Sequence, residues 1–441
     1  MTAFTPQPYQ ARRARLLPKL DNAVAVLATS HEAVRNRDAY YSYRHDSYFY
    51  YLTGFTEPEA VLVLLGKTKD SPAKSILFCR DKDEEREIWD GFRHGPAAAR
   101  EVFALDECYS ISELLSKLPD YLQDRDALYT PVGLTGLAST WDKLIADALN
   151  TVRGRARLGV AAPSNVVDLR ALLDPMRLQK DAHEIGLMRR AAEISSRAHV
   201  RAMQQCQPGM HEYQIEAELM HEFLSHGALS PAYGSIVASG GNSCCLHYRD
   251  NNRLMQDGDM LLIDAGGEYQ SYASDITRTF PVNGRFSGAQ RAVYEVVLAA
   301  NKACMQQLTP GNAFNAYHDE AIKVIAQGLI DLKLCQGSVD SVIESKAYFQ
   351  FYMHRAGHWL GLDVHDAGDY RKQGVWQSLQ EGMVLTNEPG LYFRPADNVP
   401  EAFWNIGVRI EDDVLITASG NENLTASCPK EVAEIEQLMR R

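Results

Sequence analysis

The sequence predicts two domains of different class: an α/β domain over residues 1–174, followed by an α+β domain over residues 175–441 that carries an internal repeat. Three observations predict this. Early on, short apolar runs rich in β-formers alternate with helical patterns. The chain then turns strongly helical after Asp174–Pro175. Finally, two phrases of the second part recur in the same order further along. The length of 441 residues agrees, because one hydrophobic core seldom serves so long a chain.

The first elements follow in order. The basic run "QARRARLLPKL" (10–20) reads as a solvated helix face rather than a targeting segment. "AVAVLAT", "AVLVLLG" and "KSILFCR" read as strands of a partly parallel sheet, and "ISELLSKLPDYLQ" as a covering helix. The tyrosine-rich "YYSYRHDSYFYY" (40–51) reads as core and interface packing. No GxGxxG or P-loop occurs here, so no nucleotide site is indicated.

The second part predicts long amphipathic helices at about 179–206 and 288–308. "MQQCQPG" ends the first and "MQQLTPG" the second, and each Pro-Gly break precedes another helical pattern. Downstream, "DGDMLLIDAG" (257–266) aligns without gaps to "EGMVLTNEPG" (381–390), which puts Asp264 and Glu388 at equivalent places. Two echoes in the same order predict a duplicated helix-helix-strand unit. Its halves face each other across a pseudo-twofold with the acids meeting between them. "LLIDAGGEYQSYASDITRTF" (261–280) has the composition of a β-hairpin, yet each arm carries an aspartate, Asp264 and Asp275.

Composition narrows the function. Apolar residues make up 45% and charged residues 23%, ordinary for a soluble globular enzyme. The net charge of −12 argues against a nucleic-acid partner. No run approaches 18 apolar residues, so no membrane helix is expected, and "NAVAVLA" is too brief for a signal peptide. The eight cysteines form no CxxC pair, and adjacent Cys244 and Cys245 do not suit a disulfide, so a cytoplasmic setting is expected.

Asp264, Asp275, His358, Glu388 and Glu411 all sit in apolar strand or turn contexts: "LLIDAG", "YASDITRTF", "GHWLGLD", "MVLTNEPG" and "VRIEDDVLI". An isolated charge buried in such a place costs several kcal/mol, on the order of what an unpaired ion costs in a protein interior. Arg278 and Arg409 could pair with some of them, but four carboxylates cannot share so few cations. Four carboxylates and one imidazole suit two divalent metal ions bridged by carboxylates. The oxygen-rich set favours Mn²⁺, with Co²⁺, Fe²⁺ or Zn²⁺ also compatible. His226 and His318 on helices read as surface or capped residues, and Asp363 and Asp366 as turn caps. His45 is left open, because the N-terminal domain could reach a neighbouring subunit's site.

Several motifs carry a resemblance. "YRHDSYFYYLTGFTEPEAVLVL", "IDAGGEYQSYASDITRTFPVNG", "HWLGLDVHD", "EPGLY" and "GVRIEDDVLIT" together resemble the Xaa-Pro aminopeptidase (aminopeptidase P) family of the creatinase/methionine aminopeptidase, or pita-bread, superfamily. The resemblance runs nearly full length. The segment "RKQGVWQSLQEG", near Arg371, departs from the pattern in lacking the usual proline before Gly382 and in being about one residue longer. The resemblance implies a pita-bread catalytic domain. It makes Asp264 a chelating ligand of one metal, Asp275 and Glu411 bridges, and His358 and Glu388 ligands of the second metal. It further implies His247 beside the scissile bond, His365 stabilising the tetrahedral intermediate, His354 as a pocket histidine and Arg409 as a ligand-steadying hydrogen-bond donor.

The expected enzyme is a manganese metalloaminopeptidase that attacks the first carbonyl with a dinuclear-metal-activated hydroxide. Glu388 shuttles the proton, and the peptide substrate carries proline at position two. The alternatives are a prolidase restricted to Xaa-Pro dipeptides and, of another class, a metal-free creatinase-like hydrolase or binding module. The family implies a homodimer or homotetramer, with the N-terminal domain supplying contacts and governing substrate access.

Overall fold

The computed structural model describes residues 4–133 and 138–440. Packing divides the chain into two units, Met1–Met176 and Arg177–Arg441.

The first unit holds a six-stranded mixed sheet. Its strands are β1 (Ala23–Ala28), β2 (Val61–Leu65), β3 (Lys74–Cys79), β4 (Glu107–Ser110), β5 (Ala127–Thr130) and β6 (Asn165–Asp168), in the order β4-β3-β2-β1-β5-β6. The β1–β2 and β2–β3 pairs are antiparallel, whereas β3–β4, β1–β5 and β5–β6 are parallel. The expected partly parallel sheet is therefore present. β2 is buried along its whole length, which is why it reads as an unbroken apolar run. Val24, Val26, Val63, Ile76 and Phe78 pack against Leu118 and Leu122 of the helix Leu114–Leu122.

The basic run near the start corrects its reading. Arg12 and Arg13 are buried on the helix Gln7–Leu16, not solvated. Arg12 donates to the Tyr51 carbonyl and Arg13 to the Leu52, Phe103 and Ala104 carbonyls. A guanidinium has five N–H donors, so these two serve as fasteners for orphan carbonyls, including those near the end of the helix Ser47–Thr53. That helix buries Phe49, Tyr50 and Tyr51 from the tyrosine-rich run, while Tyr40 and Tyr41 are exposed.

In the second unit, helices α1 (Ala182–Gln205) and α2 (Glu212–Ser225) pack as one pair, and α3 (Gly288–Gln307) and α4 (Ala316–Asp331) as another. α1 and α3 both begin with a capping box, from Asp181/Glu184 and Ser287/Gln290. Both are followed by a glycine in the left-handed region, Gly209 and Gly311. Thus the repeated phrase is a repeated helix stop.

Each pair precedes a three-stranded antiparallel sheet. The first is β7 (Ile236–Ser239), β8 (Met260–Asp264) and β9 (Thr277–Pro281), in that order. The second begins with β10 (Val384–Asn387). Between β10 and the remaining strands lies the separate pair β11 (Gly390–Phe393) and β12 (Ile406–Arg409). β13 (Asp412–Thr417) and β14 (Gly420–Asn423) complete the second sheet, in the order β10-β13-β14. β8 and β9 form the expected hairpin, with Asp264 opposite Thr277. Its tip leaves that sheet: Gly267–Tyr269 and Tyr272–Ala273 join Ser230–Pro231 in a small sheet of their own. Gly266 makes this exit, since a Cβ there would sit 1.7 Å from the Ser274 carbonyl oxygen.

Candidate metal centre

Strand ends deliver the acids. Asp264 closes β8, Asp275 lies two residues before β9, Glu388 follows β10 and Glu411 precedes β13. Pairing fixes them: the Glu411 N–H donates to the Thr277 carbonyl, and the Thr277 hydroxyl donates to Glu411 Oε2 at 2.7 Å. His358 lies on an irregular segment held to β10, where its N–H donates to Thr386 Oγ1.

One oxygen each from Asp275 and Glu411 and a ring nitrogen of His358 lie within 4.8 Å of one another. Nε2 of His358 is 3.4 Å from Asp275 Oδ2 and 3.7 Å from Glu388 Oε1. Its Nδ1 faces the Trp359 carbonyl at 3.0 Å. That bond favours the proton on Nδ1, so Nε2, which faces the acids, is the nitrogen that would ligate a metal once its own proton is displaced, the usual orientation of a ligating histidine. Asp264 is held by Arg409 Nη2 at 2.6 Å. The Tyr233 hydroxyl contacts both Asp264 and Asp275.

The electrostatics test whether metal ions fit. Two buried carboxylates, Asp275 and Glu411, and two half-buried ones, Asp264 and Glu388, face one guanidinium and one imidazole. Burial pushes Asp264 up against the pull of Arg409, with Asp275 adding repulsion. Burial likewise raises Glu388, to about 7, and Glu411, whose neighbouring acids add to it. Asp275 alone moves down: burial opposes its ionisation, but His358 outweighs it. Burial also works against charge on His358, yet Asp275 and Glu388 hold it up to about 9. The cluster therefore keeps protons or lacks cations, and its four oxygen donors and one nitrogen donor suit divalent ions. The residues present fit a metal centre.

The other expected residues lie around this cluster. Arg409 is buried and also donates through Nη1 to the Tyr392 hydroxyl at 3.0 Å. His354 Nε2 meets the same hydroxyl at 2.9 Å, and its Nδ1 lies 3.8 Å from Glu388 Oε2. Burial and then Arg409 lower His354 to about 3. The exposed His365 ring stands edge-on to His358 at 4.3 Å between centroids. His247 is exposed and interacts electrostatically with both His354 and His365.

Residues outside the cluster fall into ordinary roles. His226 caps its helix beside Glu222, and His318 meets the Tyr352 hydroxyl at 3.5 Å. His45 is buried in the first unit and stacks on Tyr50. Arg371 is exposed and lies over the Trp376 ring. Asp366 does more than cap a turn, because it is buried between Arg177 at 2.6 Å and Lys180 at 2.9 Å. Sequence reasoning missed Tyr233, Thr277 and Tyr392. Of these, Thr277 and Tyr392 carried a signal, through their places in "SDITRTF" and "EPGLY".

The chain matches the family model described as metallopeptidase family M24 over residues 186–418, and the aminopeptidase P N-terminal domain over residues 9–129. It is 45% identical to the Xaa-Pro aminopeptidase of Escherichia coli (strain K12) over 440 residues, 100% of this chain and 99% of that one. The Xaa-Pro aminopeptidase of Haemophilus influenzae is also 45% identical, across 100% of this chain and 98% of its own length. Among solved structures, the Pseudomonas aeruginosa aminopeptidase PepP superposes with a TM-score of 0.96 at 48% identity, covering 100% of this chain and 99% of that one. The zinc-substituted E. coli aminopeptidase P in complex with product gives 0.95 at 44% identity, covering 99% of each chain. The expected fold class, an α/β N-terminal domain with a pita-bread catalytic domain, is borne out.

Proposed function

The chain belongs to metallopeptidase family M24, in its aminopeptidase P group, and we propose that it releases the N-terminal residue from peptides whose second residue is proline. The observation that carries this reading is the convergence of Asp275, His358 and Glu411, with Glu388 and Asp264 beside them, in a largely enclosed cluster short of positive charge. These five side chains would hold two divalent metal ions, Mn²⁺ by the oxygen-rich donor set. When bound, the pair supplies Lewis acidity and makes a water nucleophilic near neutral pH.

The protein's own residues do the rest. The free α-amine of the substrate is held on the Asp264 side of the cluster, which makes the enzyme an exopeptidase. Arg409 keeps Asp264 oriented through its 2.6 Å contact and steadies the ligand. Glu388 accepts a proton on its carboxylate and delivers it to the leaving prolyl nitrogen. His365 donates to the developing oxyanion. His247 and His354 line the position of the scissile bond and the ring that follows it. Proline offers no N–H at that bond, so the pocket needs no acceptor for one.

Residues 1–174 serve oligomerisation and substrate access, in a homodimer or homotetramer. A cytoplasmic setting is consistent with eight free cysteines among the described residues. No helix among the described residues is long and apolar enough to cross a membrane.

A matched panel tests the reading: Xaa-Pro-Yaa, its N-acetyl form, Xaa-Ala-Yaa and Xaa-Pro, each with added Mn²⁺. Rapid cleavage of the first alone is expected. Preference for Xaa-Ala-Yaa or equal cleavage of the acetylated peptide overturns it. Cleavage restricted to Xaa-Pro makes the enzyme a prolidase, and activity in protein shown to be metal-free points to the creatinase-like alternative.

A further inference from the structure

We infer that Glu212 is a positioning residue that holds the segment from Ser239 to Arg253 in the shape that presents His247. This rests on the role of His247 proposed above. Glu212 opens α2 and is fully buried. Its Oε1 accepts from the Ser239 N–H and hydroxyl, both at 2.7 Å, and from Asn242 Nδ2 at 3.2 Å. Its Oε2 accepts from the Tyr248 hydroxyl at 2.8 Å and the Arg253 N–H at 2.9 Å. Its own N–H donates to the Arg253 carbonyl at 3.1 Å.

One carboxylate therefore grips the segment where it leaves β7, inside its 3-10 turn (Gly240–Cys244), at the residue after His247, and where it returns. Among the described residues no hydrogen bond or ion pair fastens the His247 side chain itself. The backbone on either side must then aim the ring, and Tyr248 is its immediate neighbour. A carboxylate suits the task because it is acceptor-only, with about four lone-pair sites for these donors. Its place at a helix N-terminus further favours the negative charge. Glutamine would turn one oxygen into a donor facing donors. The far side of the segment is secured separately: the Arg394 guanidinium donates to the Cys244 carbonyl, and the Gly407 N–H donates to Ser243 Oγ.

The test is a double-mutant cycle on metal-loaded, full-length protein. Glu212→Gln, Tyr248→Phe and His247→Ala are made singly, and the first two are each combined with His247→Ala. Turnover and KM on Xaa-Pro-Yaa, bound metal and melting temperature are measured for each. Glu212→Gln is expected to lower kcat/KM on the order of 10²-fold, the scale of a misplacement of about 1 Å. Tyr248→Phe should give a smaller loss. Both should keep their metal, and neither should lose further activity in the His247→Ala background. A merely structural role would give losses that multiply with His247→Ala, and that result overturns the inference, as would unchanged kinetics in both single variants. If Glu212→Gln does not fold, the Tyr248→Phe cycle decides. An impaired His247→Ala with multiplying losses sinks only this inference, whereas a fully active His247→Ala sinks the proposed role of His247 together with it.

Discussion

Glu411 and Asp412 are consecutive, fully buried acids with opposite fates. Asp412 is neutralised. Its Oδ1 accepts from Arg278 Nη2 at 2.7 Å and from the Thr425 hydroxyl, and its Oδ2 meets Lys430 at 2.5 Å. Burial opposes its charge, but Arg278 and Lys430 overcome that and hold its carboxyl well below the usual range. Glu411 faces the other way, toward Asp275, Glu388 and Asp264, and is pushed well above its ordinary value. The first region closes its own charge balance and belongs to the fold. The second leaves a deficit of positive charge that bound metal ions would make good. Burial of an acid thus says little about function until its partners are counted.

The largest expected effect breaks the open side. Asp275→Asn or Glu411→Gln should abolish peptidase activity and lose at least one metal while the fold persists. Two bound metals with near-normal turnover in either variant would refute the assignment. The next breaks the closed side. Asp412→Ala leaves Arg278 buried without its carboxylate and should cost about 3–5 kcal/mol of stability. In metal-free protein, Glu411→Gln should cost nothing or stabilise. Denaturant titration of both variants in chelator reads the contrast directly.

Smaller still, His365→Ala should lower kcat by about 10²–10³ with KM nearly unchanged, the pattern of a contact made in the transition state. Steady-state kinetics showing weaker KM and intact kcat would make it a ground-state contact instead.

The smallest effect sharpens the comparison through pH. Folded, metal-free protein holds the Glu388 proton to about 7, while the unfolded chain releases it near the ordinary 4.5. Between these values the folded state binds more protons, so stability falls as pH rises. His358, raised from 6.5 to about 9, acts in the same direction: its contribution is complete below 6.5 and lost through 9. Asp275 and Asp412 are lowered, so their contributions fail only in acid, outside this window. The melting temperature of chelator-treated protein should therefore decline from about pH 7 to about pH 9, whereas below 6.5 the histidines lowered by burial, His354 and His45 to about 3 and His199 and His318 to about 4, act in the opposite sense. Metal-loaded protein should decline less, and equal slopes would argue against a metal-relieved deficit.

Much of this was written locally. Apolar runs gave β1, β2 and β3, because a strand covered on both faces must be apolar throughout. Pro-Gly breaks located the ends of α1 and α3, because a proline two residues after each C-cap, Pro208 after Cys206 and Pro310 after Leu308, cannot continue a helix. Asp264, Asp275, Glu388 and Glu411 stood out because an acid among apolar neighbours violates the burial pattern, a conflict visible within a few residues. Only tertiary structure decided which conflicts were resolved within the chain. Arg278 reaches Asp412 across 134 positions, and Thr277 reaches Glu411 across the same number. Arg12 and Arg13, read as solvated, turned inward to carbonyls 39 or more positions away. Glu212 likewise gave no local sign of its role in "MHEYQIEAEL", because its donors arrive from residues 239–253. A sequence exposes the cost of burying a charge through its neighbours, whereas the partner that meets the cost is fixed by the path of the folded chain.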